Sequence, residues 1–167
     1  MCAVAVIAIA VLIFCFSAQQ GEDSAILSRS ITAWLLARVY PNFSALNART
    51  RLKLLATVGR TVRKLAHFGE YALLGASVNA LIHALRRAKR RWWLLCALAW
   101  VPCVLYACTD ELHQMFVAGR GPAALDVVID SCGALIGVLA MELVFTARHR
   151  RQKRHRTASG RVQTEIR

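Results

Sequence analysis

Thr109–Asp130 reads TDELHQMFVAGRGPAALDVVID, a polar interruption between two strongly apolar runs. Asp110, His113 and Gln114 stand at i, i+3 and i+4, so a helix places them on one face. Asp126 and Asp130 share a face in the same way, at i and i+4. Between them, Ala118-Gly119-Arg120-Gly121-Pro122 has the composition of a turn. Two polar helix faces therefore approach one hairpin from opposite sides. Upstream, RKLAHFGEY at 63–71 offers His67, Glu70 and Tyr71 at i, i+3 and i+4. The fold turns on whether these faces meet.

The 167 residues amount to one domain. They are 57% apolar and 19% charged, with a mean hydropathy of +0.44, which is high for a soluble domain. Long apolar runs alternate with Arg/Lys clusters, the pattern of a membrane protein whose partner is the lipid bilayer. A net charge of +13 would suit nucleic acid, but the basic residues crowd beside apolar runs. They have no nucleic-acid motif or interleaved aromatics around them, so no nucleic acid is expected as a partner. The basic tail reads instead as an anchor on anionic lipid. The six cysteines lie in or at the edges of apolar runs, and no C-x-x-C occurs. Free thiols are expected, with Cys108 and Cys132 the pair placed near enough to one membrane face for a bridge.

The expected fold is all-α: a bundle of four transmembrane helices at about 1–18, 65–83, 92–108 and 125–145, within a membrane domain of residues 1–147. Met1–Ala18 is uncharged, without the basic n-region of a signal peptide, and reads as the first span. The long first connection carries two apolar stripes, Ile26 to Val39 and Leu52 to Leu65. They are broken at Tyr40-Pro41-Asn42 and read as interfacial amphipathic helices. Trp92-Trp93 anchors the third span, and Gly133-x-x-x-Gly137 permits close helix approach in the fourth. Residues 148–167 form a basic tail expected to lack regular structure. Five Arg/Lys in the Arg86–Arg91 loop and eight in the tail sit close to span ends, which places both in the cytoplasm. The chain is then a multi-pass protein of the bacterial cytoplasmic membrane with both termini inside.

That topology brings Gln19, His67, Glu70, Tyr71, Asp110, His113, Gln114, Asp126 and Asp130 to the outer leaflet, with Arg120 in the hairpin. Ionisable groups near hydrocarbon cost about 2.5–3.5 kcal/mol each, so they must be paired, hydrated or coordinated. Arg120 is the expected counter-charge, and Glu142 is expected to meet cytoplasmic arginines. The blander reading is a buried network that only docks helices. The functional reading is a polar pocket for a head group. A hydrolase or transferase would use Glu70 or His113 as base and Arg120 as oxyanion or phosphate partner. A divalent metal would draw on His67, Glu70, Asp110 and His113. Their spacing matches no established metal motif, so no cofactor is expected.

Ser17-x-Gln19, Arg63 to Tyr71, DELHQMF at 110–116, Gly119-Arg120 and DVVIDSCGA at 126–134 together resemble the VanZ family of small bacterial membrane proteins. The resemblance covers most of Ser17 to Gly137. It implies a cell-envelope protein related to one that gives low-level resistance to teicoplanin, a lipoglycopeptide. The implied partners are a lipid-linked cell-wall precursor or a lipoglycopeptide at the outer face. The resemblance carries no reaction.

Overall fold

The computed structural model describes residues 2–19, 21–86, 91–117, 119 and 123–165; the side chains of residues 21–24, 27 and 154–165 are not described. Arg120 and residues 87–90 of the basic loop lie outside the described residues. The described chain is all helical: α1 (Cys2–Ser17), α2 (Gly21–Val39), a 3₁₀ turn (Phe43–Ala45), α3 (Ala48–Leu85), α4 (Trp92–Gln114) and α5 (Ala124–Glu165).

The break at Pro41 stands where the sequence placed it. The next helix starts at Asn47, whose side chain accepts a hydrogen bond from the Thr50 backbone N–H at 2.8 Å. The second amphipathic stripe runs into the second span as one helix, as the sequence implies. No proline lies between Ala48 and Leu85, so nothing stops the turn from propagating through 38 residues, about 57 Å at ~1.5 Å each. The tail is also corrected: α5 continues through Glu165 rather than becoming irregular. Ala147, Arg148, Arg150, Arg151, Gln152 and Lys153 are good helix formers, and they extend a stem already nucleated by packing.

α1, α3, α4 and α5 pack as a bundle, and α3 touches all the others. Its interface with α5 is the most extensive. Glycine makes this possible. A Cβ on Gly75 would strike the Ala134 carbonyl group, one on Gly133 that of Phe68, and one on Gly137 that of Ala72. The backbones therefore meet directly, as the Gly133-x-x-x-Gly137 spacing suggests. Around this seam lie Ile13, Tyr71, Leu74, Cys103, Ala107 and Ala134, with Cys96, Ala99 and Val138 further along. Half-buried donors cross between helices: Trp100 Nε1 donates to the Ser131 carbonyl at 2.9 Å, and the Tyr106 hydroxyl donates to the Ala10 carbonyl at 2.7 Å. All six cysteines are free, two buried, one half-buried and three exposed.

Among the described residues, two helices are long and apolar enough to cross a membrane: Trp92–Gln114 and Ala124–Lys153. Only 28% of the apolar window of each is buried, where the core helix of a soluble protein would be mostly buried. Large apolar side chains such as Val101, Leu105, Val128 and Ile136 point outward. α1 is apolar but has 16 residues, about 24 Å. α3 carries basic residues along its first half and lies outside that pair.

Candidate functional site

The polar faces of α3, α4 and α5 converge at one end of the bundle, around the hairpin between α4 and α5. Glu111 ties that hairpin, its carboxylate accepting the Ala123 backbone N–H just before α5 begins. Gly119 in the turn has φ 76°, a left-handed conformation that suits glycine.

Asp110 is the best-anchored acid. It is 4% exposed, and its Oδ2 accepts from the Ser17 hydroxyl at 2.7 Å and from Gln114 Nε2 at 3.0 Å. Gln114 Nε2 also donates to Ser17 Oγ at 3.1 Å, closing a triangle between the end of α1 and the last turns of α4. The triangle fixes the carboxylate and leaves Oδ1 buried with no hydrogen-bond partner among the described residues. Asp130 on α5 is 5% exposed, and its Oδ1 is likewise without a partner. The Tyr71 hydroxyl, on a residue with no exposed surface, is a third such atom.

His67 projects from α3 toward both acids. One ligand atom each from His67, Asp110 and Asp130 lie within 4.8 Å of one another. His67 Nδ1 is also 3.6 Å from Glu70 Oε2. Asp126, one turn before Asp130, pairs with Lys64 on α3, both about two-fifths exposed. Lys64 is therefore a counter-charge of Asp126 among the described residues; the expected counter-charge Arg120 lies outside them. A cavity of about 150 Å³ opens here, lined by Arg63, Lys64, His67, Gln114, Gly119, Asp126, Ile129 and Asp130. A second concavity, between α2 and α3, carries Arg29 and Arg60 and shares Arg63.

Of the residues proposed from the sequence, His67, Gln114, Asp126 and Asp130 line the cavity. Asp110 adjoins it through Gln114, and Tyr71 and Glu70 lie on the same helix as His67. Gln19 sits just beyond α1. His113 turns away: its ring stacks on Phe14 of α1, centroids 4.7 Å apart. The close metal-competent set is thus His67, Asp110 and Asp130, rather than one including Glu70 and His113. Helical spacing explains the difference. Asp110 and Gln114 differ by a full turn plus 40°, whereas His113 is rotated 60° back toward α1.

The sequence reading missed Arg63, Lys64 and the structural part of Ser17. Lys64, His67 and Tyr71 are spaced i, i+3, i+7, which was the available signal. At the other end of the bundle, Glu142 meets His83 Nε2 at 2.6 Å and Asn79 Nδ2 at 3.4 Å; among the described residues these are the partners found where arginines are expected. Asn79 also donates to the Val138 carbonyl at 3.0 Å, and His83 stacks on Phe145. The described helices are closed around this pair, so it reads as a packing device joining α3 to α5.

A family model described as VanZ/LLP1 matches residues 2–145. No curated protein matches the chain, and no solved structure does.

Proposed function

The chain belongs to the VanZ/LLP1 family, and from that premise we propose that it is a multi-pass envelope protein whose polar cavity receives part of a lipid-linked or amphiphilic head group. In this reading α1, residues 65–83 of α3, α4 and the first part of α5 cross the cytoplasmic membrane. Both termini are inside, the hairpin is outside, and the cavity faces the outer leaflet. The observation that carries the reading is the cavity: basic Arg63 and Lys64 stand with His67, Gln114 and Asp130 around one opening. Such a lining offers both signs of charge and an amide to a polar group presented from the bilayer surface.

Its size limits the ligand. About 150 Å³ holds a phosphate, an amino-acid terminus or one sugar edge, and is well below the ~300–1,000 Å³ that encloses a drug-sized molecule. A whole lipoglycopeptide is not swallowed; one charged part of a head group is. The neighbouring concavity with Arg29 and Arg60 extends the basic surface along α2 and α3.

A second reading has its own observation. The Ser17–Asp110–Gln114 triangle joins α1 to α4 without any ligand, as a docking network would. Expression in a Gram-positive host tests the first reading. The wild type is expected to give a selective gain in teicoplanin tolerance, which His67→Ala loses at equal membrane abundance. No gain from a well-inserted wild type would remove the resistance role.

A further inference from the structure

We propose that His67, Asp110 and Asp130 form a binding site for a divalent transition-metal cation of the Mn²⁺ or Zn²⁺ type beside the cavity. The three ligand atoms come from three helices and lie within 4.8 Å of one another. An ion about 2.1 Å from each donor would set them roughly 3.0–3.4 Å apart, so side-chain rotation of about an ångström closes the set. One imidazole and two carboxylates neutralise a dication and leave coordination positions open toward the cavity.

Two independent observations point to a ligand. Asp110 and Asp130 are at least nine-tenths buried, and each presents an Oδ1 with no hydrogen-bond partner among the described residues. Two buried carboxylates so close repel each other and lose hydration, and a cation between them relieves both costs. Lys64 does not fill that place, because it is engaged with Asp126. Secondly, Asp110 is oriented as a ligand should be. Ser17 and Gln114 hold Oδ2, as the outer partners of a metal-ligating carboxylate do, and Oδ1 is left over. The mixed nitrogen and oxygen donors suit Mn²⁺ or Zn²⁺ better than Ca²⁺ or Mg²⁺, which favour all-oxygen shells.

The site stands independently of the head-group reading, since metal binding is read with no lipid-linked ligand present. The full chain in lipid nanodiscs, stripped with a chelator, would be titrated with Mn²⁺ and followed by electron paramagnetic resonance. One Mn²⁺ per chain is expected, with affinity reduced by more than ~10–100-fold in Asp130→Asn and Asp110→Asn. Zn²⁺ is expected to displace it. Pulsed spectra of the wild-type complex should show coupling to one imidazole nitrogen, lost in His67→Ala and kept in His113→Ala. That second readout decides the matter even where an aspartate variant fails to fold. The absence of stoichiometric Mn²⁺ in folded wild type, or of nitrogen coupling, would overturn the site, as would binding unchanged in an Asp110→Asn/Asp130→Asn double variant.

Discussion

Gly137→Val is expected to remove the folded bundle from the membrane fraction. A Cβ at Gly137 would lie inside the van der Waals envelope of the Ala72 carbonyl oxygen and 2.9 Å from the Ala72 Cα. The obstacle is helix backbone, which cannot rotate aside as a side chain can. α3 and α5 would have to separate, and Gly133 and Gly75 would lose their contacts along the same seam. Ordinary overpacking costs about 1–3 kcal/mol, and this insertion exceeds it because no rotamer relieves it. Against a total stability of about 5–15 kcal/mol, parting two backbones along the whole seam, rather than one strained contact, is what removes the folded bundle. Gly69→Ala is the matched control. Nothing lies within 4 Å of a Cβ there, so alanine is expected to be neutral or to stabilise α3 by up to ~1 kcal/mol. Folded yield after detergent extraction, followed by thermal unfolding, measures both. Equal yields from the two variants would mean that α3 and α5 do not meet as described.

Asp130→Asn should separate binding from stability. The substitution keeps size and shape and removes one negative charge from a buried group of acids. Its Oδ1 makes no hydrogen bond among the described residues, so little is lost there. In chelated, metal-free protein the variant is expected to be at least as stable as the wild type, by up to roughly 1–2 kcal/mol, while the tolerance phenotype disappears. Asp110→Asn should behave differently. Its Oδ2 accepts from both Ser17 and Gln114, and weakening charge-assisted bonds costs about 1–3 kcal/mol. A stable, inactive Asp130→Asn identifies a site whose strain is retained for function. A collapsed one would mean the acids serve architecture alone.

Much of this was legible because helical periodicity is a local property. The i, i+4 spacing of Asp110 and Gln114 and the Gly133-x-x-x-Gly137 pair depend only on residues within a few turns, and in the fold Gln114 bonds Asp110 and both glycines meet the α3 backbone. Rotation about the helix axis is harder to read. His113 belongs to the same polar stretch as Asp110, yet it faces Phe14 because α1 packs there, and nothing near residue 113 encodes the position of residue 14. The same limit hid Lys64. It is one of several basic residues on α3, and only the packing of α5 brings Asp126 beside it. The merging of the second amphipathic stripe with the second span was open to inspection, since no proline separates them. The stripe at Leu52 to Leu65 runs straight into the apolar span, and the backbone is continuous there although the composition changes from basic to apolar. The Glu142–His83 pair was hidden for a different reason: charge counting assigns acids to the nearest cations in sequence, whereas packing assigns them to the nearest in space.

The most direct measurement is whole-cell labelling with a membrane-impermeant maleimide. In a background with the six native cysteines replaced, single cysteines would be placed at Val117, in the hairpin after α4, and at Leu85, the last residue of α3. An outward-facing cavity requires Val117→Cys to label on intact cells and Leu85→Cys to label only after the cells are opened. Labelling of Leu85→Cys on intact cells, with Val117→Cys protected, would contradict the account: the cavity would face the cytoplasm, away from any outer-leaflet head group.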